Sequence, residues 1–94
     1  MLSKLFATIQ DRKKNRPAGS YTVHLFDAGT DTILQKVGEE AVEVILAGKG
    51  QGNQRLIEEV ADLFYHTLVL LSAYGITLEN VENELKKRHH PDPL

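Results

Sequence analysis

The chain of 94 residues contains no cysteine. Disulfides, thiolate metal sites and thiol catalysis are thereby excluded, and a cytoplasmic setting is the natural expectation. Long apolar runs are also missing. The longest, "TLVLLSAYGI" from Thr67 to Ile76, is about half of what a bilayer span requires. The opening "MLSKLFATIQDRKK" turns basic without a small-residue cleavage site, so it does not read as a secretory signal. No excess of positive charge is present either: 11 bases against 13 acids leave a formal charge of −2. That balance argues against nucleic acid as a partner, since phosphate-backbone surfaces are built from clustered bases. Three glycines in "GKGQGN" lack the preceding strand and following Gly-Lys-Thr/Ser of a phosphate loop, and read as a turn. Neither internal repeats nor low-complexity segments occur.

What is present is helical periodicity. Leu2, Leu5, Phe6 and Ile9 predict an amphipathic helix to about Lys14, ended by "NRPAGS". "YTVHLFDAG", Tyr21 to Gly29, has strand-like residues but nothing to pair with, and is expected to be a structured loop with a short helical piece. From Asp31 to Ala47, Ile33, Leu34, Val37, Ala41, Val44 and Ile45 share one sector and predict a core-facing helix. A longer apolar helix follows from Gln54 to Tyr74, with Asn53 as its candidate cap and Gly75 as its stop. Tyr65 and Val69 fall outside its main sector and are expected to make subunit contacts. Thr77 is the expected N-cap of a last helix carrying Leu78, Val81 and Leu85, with Pro91 and Pro93 forbidding continuation. The expected fold is one all-α domain over residues 1–94, a bundle of four to five helices around an antiparallel central pair. A chain this small buries only about 60% of its unfolded surface, so completion by self-association, most simply a homodimer, is expected.

The acids are placed unusually. At about 100° per residue, Lys36, Glu40 and Glu43 align on one helix, with Glu39 beside them. Arg55, Glu59, Asp62 and His66 align on the next. Both lines abut the apolar sector, so antiparallel packing would bring them together at the edge of the core. Carboxylates gathered there repel and resist desolvation unless a cation or proton intervenes. Oxygen ligands without cysteine or a histidine cluster favour a hard ion, Mg²⁺ or Mn²⁺, and such ions also bind phosphates. A coiled-coil edge with interhelical ion pairs is the competing explanation, and Lys36 and Arg55 supply only part of the balance it needs. Lys36 is placed either to pair with Glu40 or to reach a phosphate. His66 is placed either to hydrogen-bond within the core or to face a carboxylate or phosphate.

The pairs E-x-x-E at Glu40 and Glu43 and E-x-x-D at Glu59 and Asp62 resemble the MazG-like all-α nucleoside-triphosphate pyrophosphohydrolases. "GSYTVHLFDAG", "ILQKVGEEAVEVILA" and "LIEEVADLFYHTLVLLSAYGITLENVENELKKRH" narrow the resemblance to the phosphoribosyl-ATP pyrophosphohydrolase family of histidine biosynthesis, over about residues 18–89. The resemblance implies Mg²⁺-dependent hydrolysis of phosphoribosyl-ATP to phosphoribosyl-AMP and pyrophosphate. It implies Glu40, Glu43, Glu59 and Asp62 as metal ligands, with Glu39 as a further ligand or the group orienting water. Ser20, Tyr21 and Thr22 would offer hydroxyls to substrate, Lys36 and His66 would touch phosphates or the ligands, and Lys13, Lys14 and Arg16 would receive outer phosphates or the phosphoribosyl group. A separate cyclohydrolase chain is expected for the next step. Two alternatives remain: a MazG-like house-cleaning hydrolase of other nucleoside triphosphates, and a non-catalytic helical dimerisation module.

Overall fold

The structure, a computed structural model, describes residues 1–89. Five helices make it up: α1 (Leu2–Asn15), α2 (Tyr21–Ala28), α3 (Thr30–Gly50), α4 (Asn53–Ala73) and α5 (Leu78–Arg88). No strand occurs among the described residues, and no single helix there is long and apolar enough to cross a membrane. The expected all-α architecture with an antiparallel central pair is what forms. Only Gln51 and Gly52 separate α3 from α4, so the two helices fold back on each other along most of their length.

Local signals account for the ends of the elements. Arg16 adopts the left-handed conformation (φ 52°) to close α1, and Pro17 prevents continuation. At the end of α4, Gly75 (φ 69°) lets its own N–H reach the Ser72 carbonyl at 3.1 Å and the Ile76 N–H reach that of Leu71 at 2.9 Å, a Schellman stop. Thr77 caps α5 as expected, within a reciprocal box: its hydroxyl accepts from Asn80 N–H, and the Asn80 side chain accepts from Thr77 N–H. The stop expected from Pro91 and Pro93 lies outside the described residues, and α5 already ends at Arg88.

Several expectations need correction. Tyr21–Ala28 is a full helix, because Ser20 caps it and burial of Thr22 and Leu25 outweighs its weak helix propensity. α3 runs through Gly48 and Gly50 to meet the short turn, and Asn53 sits inside α4, whose cap is Gly52. Tyr65 and Val69 are not on a free surface: Val69 is fully buried and Tyr65 packs on the core. The reason is that α1 and α2 cover this side of α4.

The core consists of Phe6, Ile9, Leu25, Ile33, Leu68 and Val69, where α1, α2 and the start of α3 meet the second half of α4. Each such buried side chain contributes about 1.5 to 3 kcal/mol. On the far side of the α3–α4 pair the cover ends. Leu34 and Ile45, expected inside, are exposed, as are Val42, Leu46, Ile57 and Phe64. α5 turns off α4 by 108° and leaves a groove of about 500 Å³ lined by Phe64, Leu68, Leu71, Leu78, Val81 and Leu85. Of its apolar stripe only Leu78 packs against the core.

Candidate active site

The two acidic lines meet as their helical phase requires. Glu40 on α3 and Glu59 and Asp62 on α4 each present a carboxylate oxygen, all within 4.8 Å of one another. Glu59 is only 5% exposed, and an unpaired carboxylate at that depth is costly. The Arg55 guanidinium, one turn earlier, donates to Glu59 at 2.5 Å and to Glu58 at 2.6 Å. Those contacts raise the Arg55 pKa, and hold Glu58 below the usual carboxylate range. Glu40 moves the other way. Its pKa is raised, first by burial, then by a hydrogen bond with Glu59 that its acid form makes, then by the Asp62 charge, with His66 opposing.

A hard cation suits this donor set. An octahedral ion with ligands at about 2.1 Å puts its oxygens roughly 3 to 4.2 Å apart, so small rotamer changes bring all three acids onto one ion. Excess negative charge on three acids with one arginine is the condition such an ion relieves. The acid cluster is therefore able to coordinate a divalent metal.

The remaining expected residues are distributed around it. Glu43 is half-buried one turn along α3 and stands outside the group of three. Glu39 is exposed, 3.6 Å from Lys36 and 3.5 Å from the Gln35 amide, so Lys36 pairs with Glu39 and not with Glu40. His66 is buried, and its Nδ1 lies 2.8 Å from the Asp62 carbonyl. A carbonyl only accepts, so Nδ1 carries the proton and Nε2 is free to face Tyr21, whose hydroxyl is 3.5 Å away. Thr22 is buried against Tyr65, and the Ser20 hydroxyl caps α2. Lys13 donates to the Ser72 carbonyl at 2.6 Å and lies 6.0 Å from the Phe26 ring, which ties α1 to the end of α4. Lys14 is exposed. Arg16 pairs with Asp27, and both line an open cavity of about 540 Å³ with Ser20, Tyr21 and His24. The sequence pattern predicts Arg55 only as a partial balance for the acids and Tyr65 as a subunit contact. The i, i+4 spacing of Arg55 and Glu59 was the available signal for the first; nothing local marked the second.

Comparison with known proteins places the chain in a family. A family model described as phosphoribosyl-ATP pyrophosphohydrolase matches residues 2–89. The chain belongs to that family. A phosphoribosyl-ATP pyrophosphatase of Clostridium acetobutylicum is 54% identical over 89 residues, covering 95% of this chain and 81% of that protein. One from Geobacter sulfurreducens is 51% identical over 88 residues, 94% of this chain and 82% of its own length. The histidine biosynthesis bifunctional protein HisIE of Oceanobacillus iheyensis is 45% identical, and there the chain spans 41% of the relative's length. Members of the family thus occur both as short chains and as part of a longer one. Both acidic pairs of this chain, Glu40 with Glu43 and Glu59 with Asp62, lie within the span that the family model matches.

Proposed function

We propose that this chain hydrolyses phosphoribosyl-ATP to phosphoribosyl-AMP and pyrophosphate, with Mg²⁺, in histidine biosynthesis. The observation that carries the reading is the convergence of Glu40, Glu59 and Asp62 in a chain matched by the family over residues 2–89. Glu40, Glu59 and Asp62 would hold Mg²⁺, with Glu43 as the fourth acid on the same edge of α3. Bound there, the ion supplies Lewis-acid neutralisation of the phosphate oxygens and a more acidic water. One water is consumed: its oxygen bonds to the α phosphorus, the bond to the bridging oxygen of the β phosphate breaks, and pyrophosphate leaves with that oxygen. Glu39, exposed and paired with Lys36, would be a further ligand or the acid that orients the water. Tyr21 and His66 would form the rim, where the unprotonated His66 Nε2 accepts from the Tyr21 hydroxyl or from a ribose hydroxyl. Arg16 and His24 line the open side, where the phosphoribosyl group would lie, with Lys14 exposed on α1.

Assembly as a homodimer belongs to the same proposal. Val42, Ile45, Leu46, Ile57 and Phe64 leave an apolar face on the α3–α4 hairpin that monomers rarely leave bare, and a second copy of the same face is self-complementary.

A substrate panel tests the activity. Pyrophosphate release in Mg²⁺ is expected to be fastest from phosphoribosyl-ATP. Faster release from dUTP or dCTP would replace this substrate with a general nucleoside triphosphate, and no release from any would return the chain to a dimerisation module.

A further inference from the structure

The segment Ser20-Tyr21-Thr22 offers three hydroxyls, and the fold employs them differently. Ser20 closes the start of α2, accepting from Val23 N–H at 3.3 Å. Thr22 is 9% exposed and its hydroxyl meets that of Tyr65 on α4 at 2.5 Å. Only Tyr21 stays half-exposed, its hydroxyl toward His66.

We propose that Tyr65 is a positioning residue: by binding Thr22 it fixes α2 on α4 so that the Tyr21 hydroxyl and His66 Nε2 face the acid cluster together. α2 has eight residues, too few to be stable without packing. Burial of Leu25 holds it against the core, but apolar burial is non-directional and leaves rotation of the short helix cheap. A hydroxyl–hydroxyl bond is directional and fixes that rotation. Thr22 and Tyr21 are neighbours on α2, and Tyr65 and His66 are neighbours on α4. Once Thr22 is pinned to Tyr65, Tyr21 is carried to His66 by the same step of about 100° per residue on both helices.

The rings complete the device. Tyr21 stacks on Tyr65 with centroids 6.4 Å apart and planes at 27°, and the His66 edge meets both, at 5.0 Å from Tyr65 and 6.2 Å from Tyr21. His66 is in turn held by the Asp62 carbonyl, and the Asp62 carboxylate belongs to the acid cluster. Tyr65 thus sits behind two groups at the rim without itself reaching the acids. Burial raises its pKa, with the Thr22 bond opposing and the nearby Tyr21 adding to the rise.

This role rests on the activity proposed for the acid cluster, so its test carries one readout independent of turnover. Tyr65→Phe keeps the ring and its packing and removes the tie. Its kcat/KM for phosphoribosyl-ATP is expected to fall about tenfold, within the range a small misplacement produces. Thr22→Val should lose as much, and Thr22→Ser should recover most of that loss. In a Tyr21→Phe background, Tyr65→Phe should cost less than about twofold more, because both changes then act through one contact. The ¹⁵N resonance of His66 Nε2 should move in Tyr65→Phe as it does in Tyr21→Phe. An unmoved resonance, or a tenfold loss that persists undiminished in the Tyr21→Phe background, would overturn the proposal. If the parent protein does not cleave phosphoribosyl-ATP, the proposed activity falls, and the resonance alone decides whether Tyr65 positions His66.

Discussion

On α4, Glu59, Asp62 and His66 stand about half a turn of the helix from Ile57, Ala61 and Phe64. The first face buries Glu59 and His66 while Asp62 stays exposed beside them, and the second shows water what a core should hide. Glu59 is 5% and His66 7% exposed, whereas Ile57 is 61% and Phe64 50% exposed. α3 repeats the inversion, with Glu40 in the acid cluster and Leu34, Val42 and Ile45 bare on the other side. Buried polar groups and exposed apolar patches are the informative departures from ordinary burial, and here they lie back to back on one hairpin. Each is costly alone, and under the proposed function a cation and phosphates would relieve the one and a second copy the other. Chemistry and assembly are thereby separable by mutation.

The strongest break in that comparison comes from the acid face. Asp62→Asn keeps size and helix propensity but removes one anionic oxygen from the cluster. Turnover is expected to fall by about 10² to 10³, the scale of losing one preorganised electrostatic group. Helical circular dichroism and sedimentation should match the parent. Retained turnover would strip the acid face of its catalytic role.

The apolar face is broken by Phe64→Glu. Because Phe64 is half-exposed in one chain, the chain itself should still fold. Burying a carboxylate in a dimer costs several kcal/mol, so the dissociation constant should rise by about 10² or more. Sedimentation at micromolar concentration reads this as a shift to monomer. Mg²⁺ affinity, measured on the same samples, should change by less than about twofold if the two faces are independent. A parent that sediments as a monomer would remove the dimer.

Most of the acid face was legible because helix phase is local. The spacing of Lys36, Glu40 and Glu43, and of Arg55, Glu59, Asp62 and His66, is enough to place two lines at one edge of an antiparallel pair. Phase does not give reach, which is why Glu43 was grouped with acids that it does not join within 4.8 Å. It also does not say what covers a face. Leu34 and Ile45 are as apolar as Ile33, yet only Ile33 lies under α2 and α4 contacts deep enough to bury it. Tyr65 and Val69 were misread for the mirror reason, since the docking of α1 and α2 is a long-range event that no window of α4 encodes. Caps were readable where one side chain or one glycine decides them, as at Thr77 and Gly75. Tyr21–Ala28 was not, because its helix depends on burial that its composition does not announce.

The smallest effect gives the finest comparison, the pH dependence of stability with and without Mg²⁺. Glu40 has a raised pKa in the folded chain, so above the ordinary glutamate value the folded state binds more protons than the unfolded one. The contribution of Glu40 to the stability of the metal-free protein therefore falls as pH rises through the interval up to its folded value. Glu58 acts oppositely and elsewhere: its folded pKa is lowered, so its contribution is lost as pH falls below the ordinary value. The contributions of these two groups to the thermal midpoint together peak near the ordinary glutamate pKa, with the limb above it belonging to Glu40. Glu40→Gln should flatten that upper limb and leave the lower one. Phe64→Glu should leave both in place once the two variants are compared at equal association state. Mg²⁺ neutralises the same carboxylates without a proton, so at a hundredfold excess over Kd it should add about 2.7 kcal/mol and remove the fall with pH. A metal-free midpoint that rises through the upper interval would mean that the acid face carries no electrostatic strain for a cation to relieve, and the contrast with the apolar face would reduce to one of exposure alone.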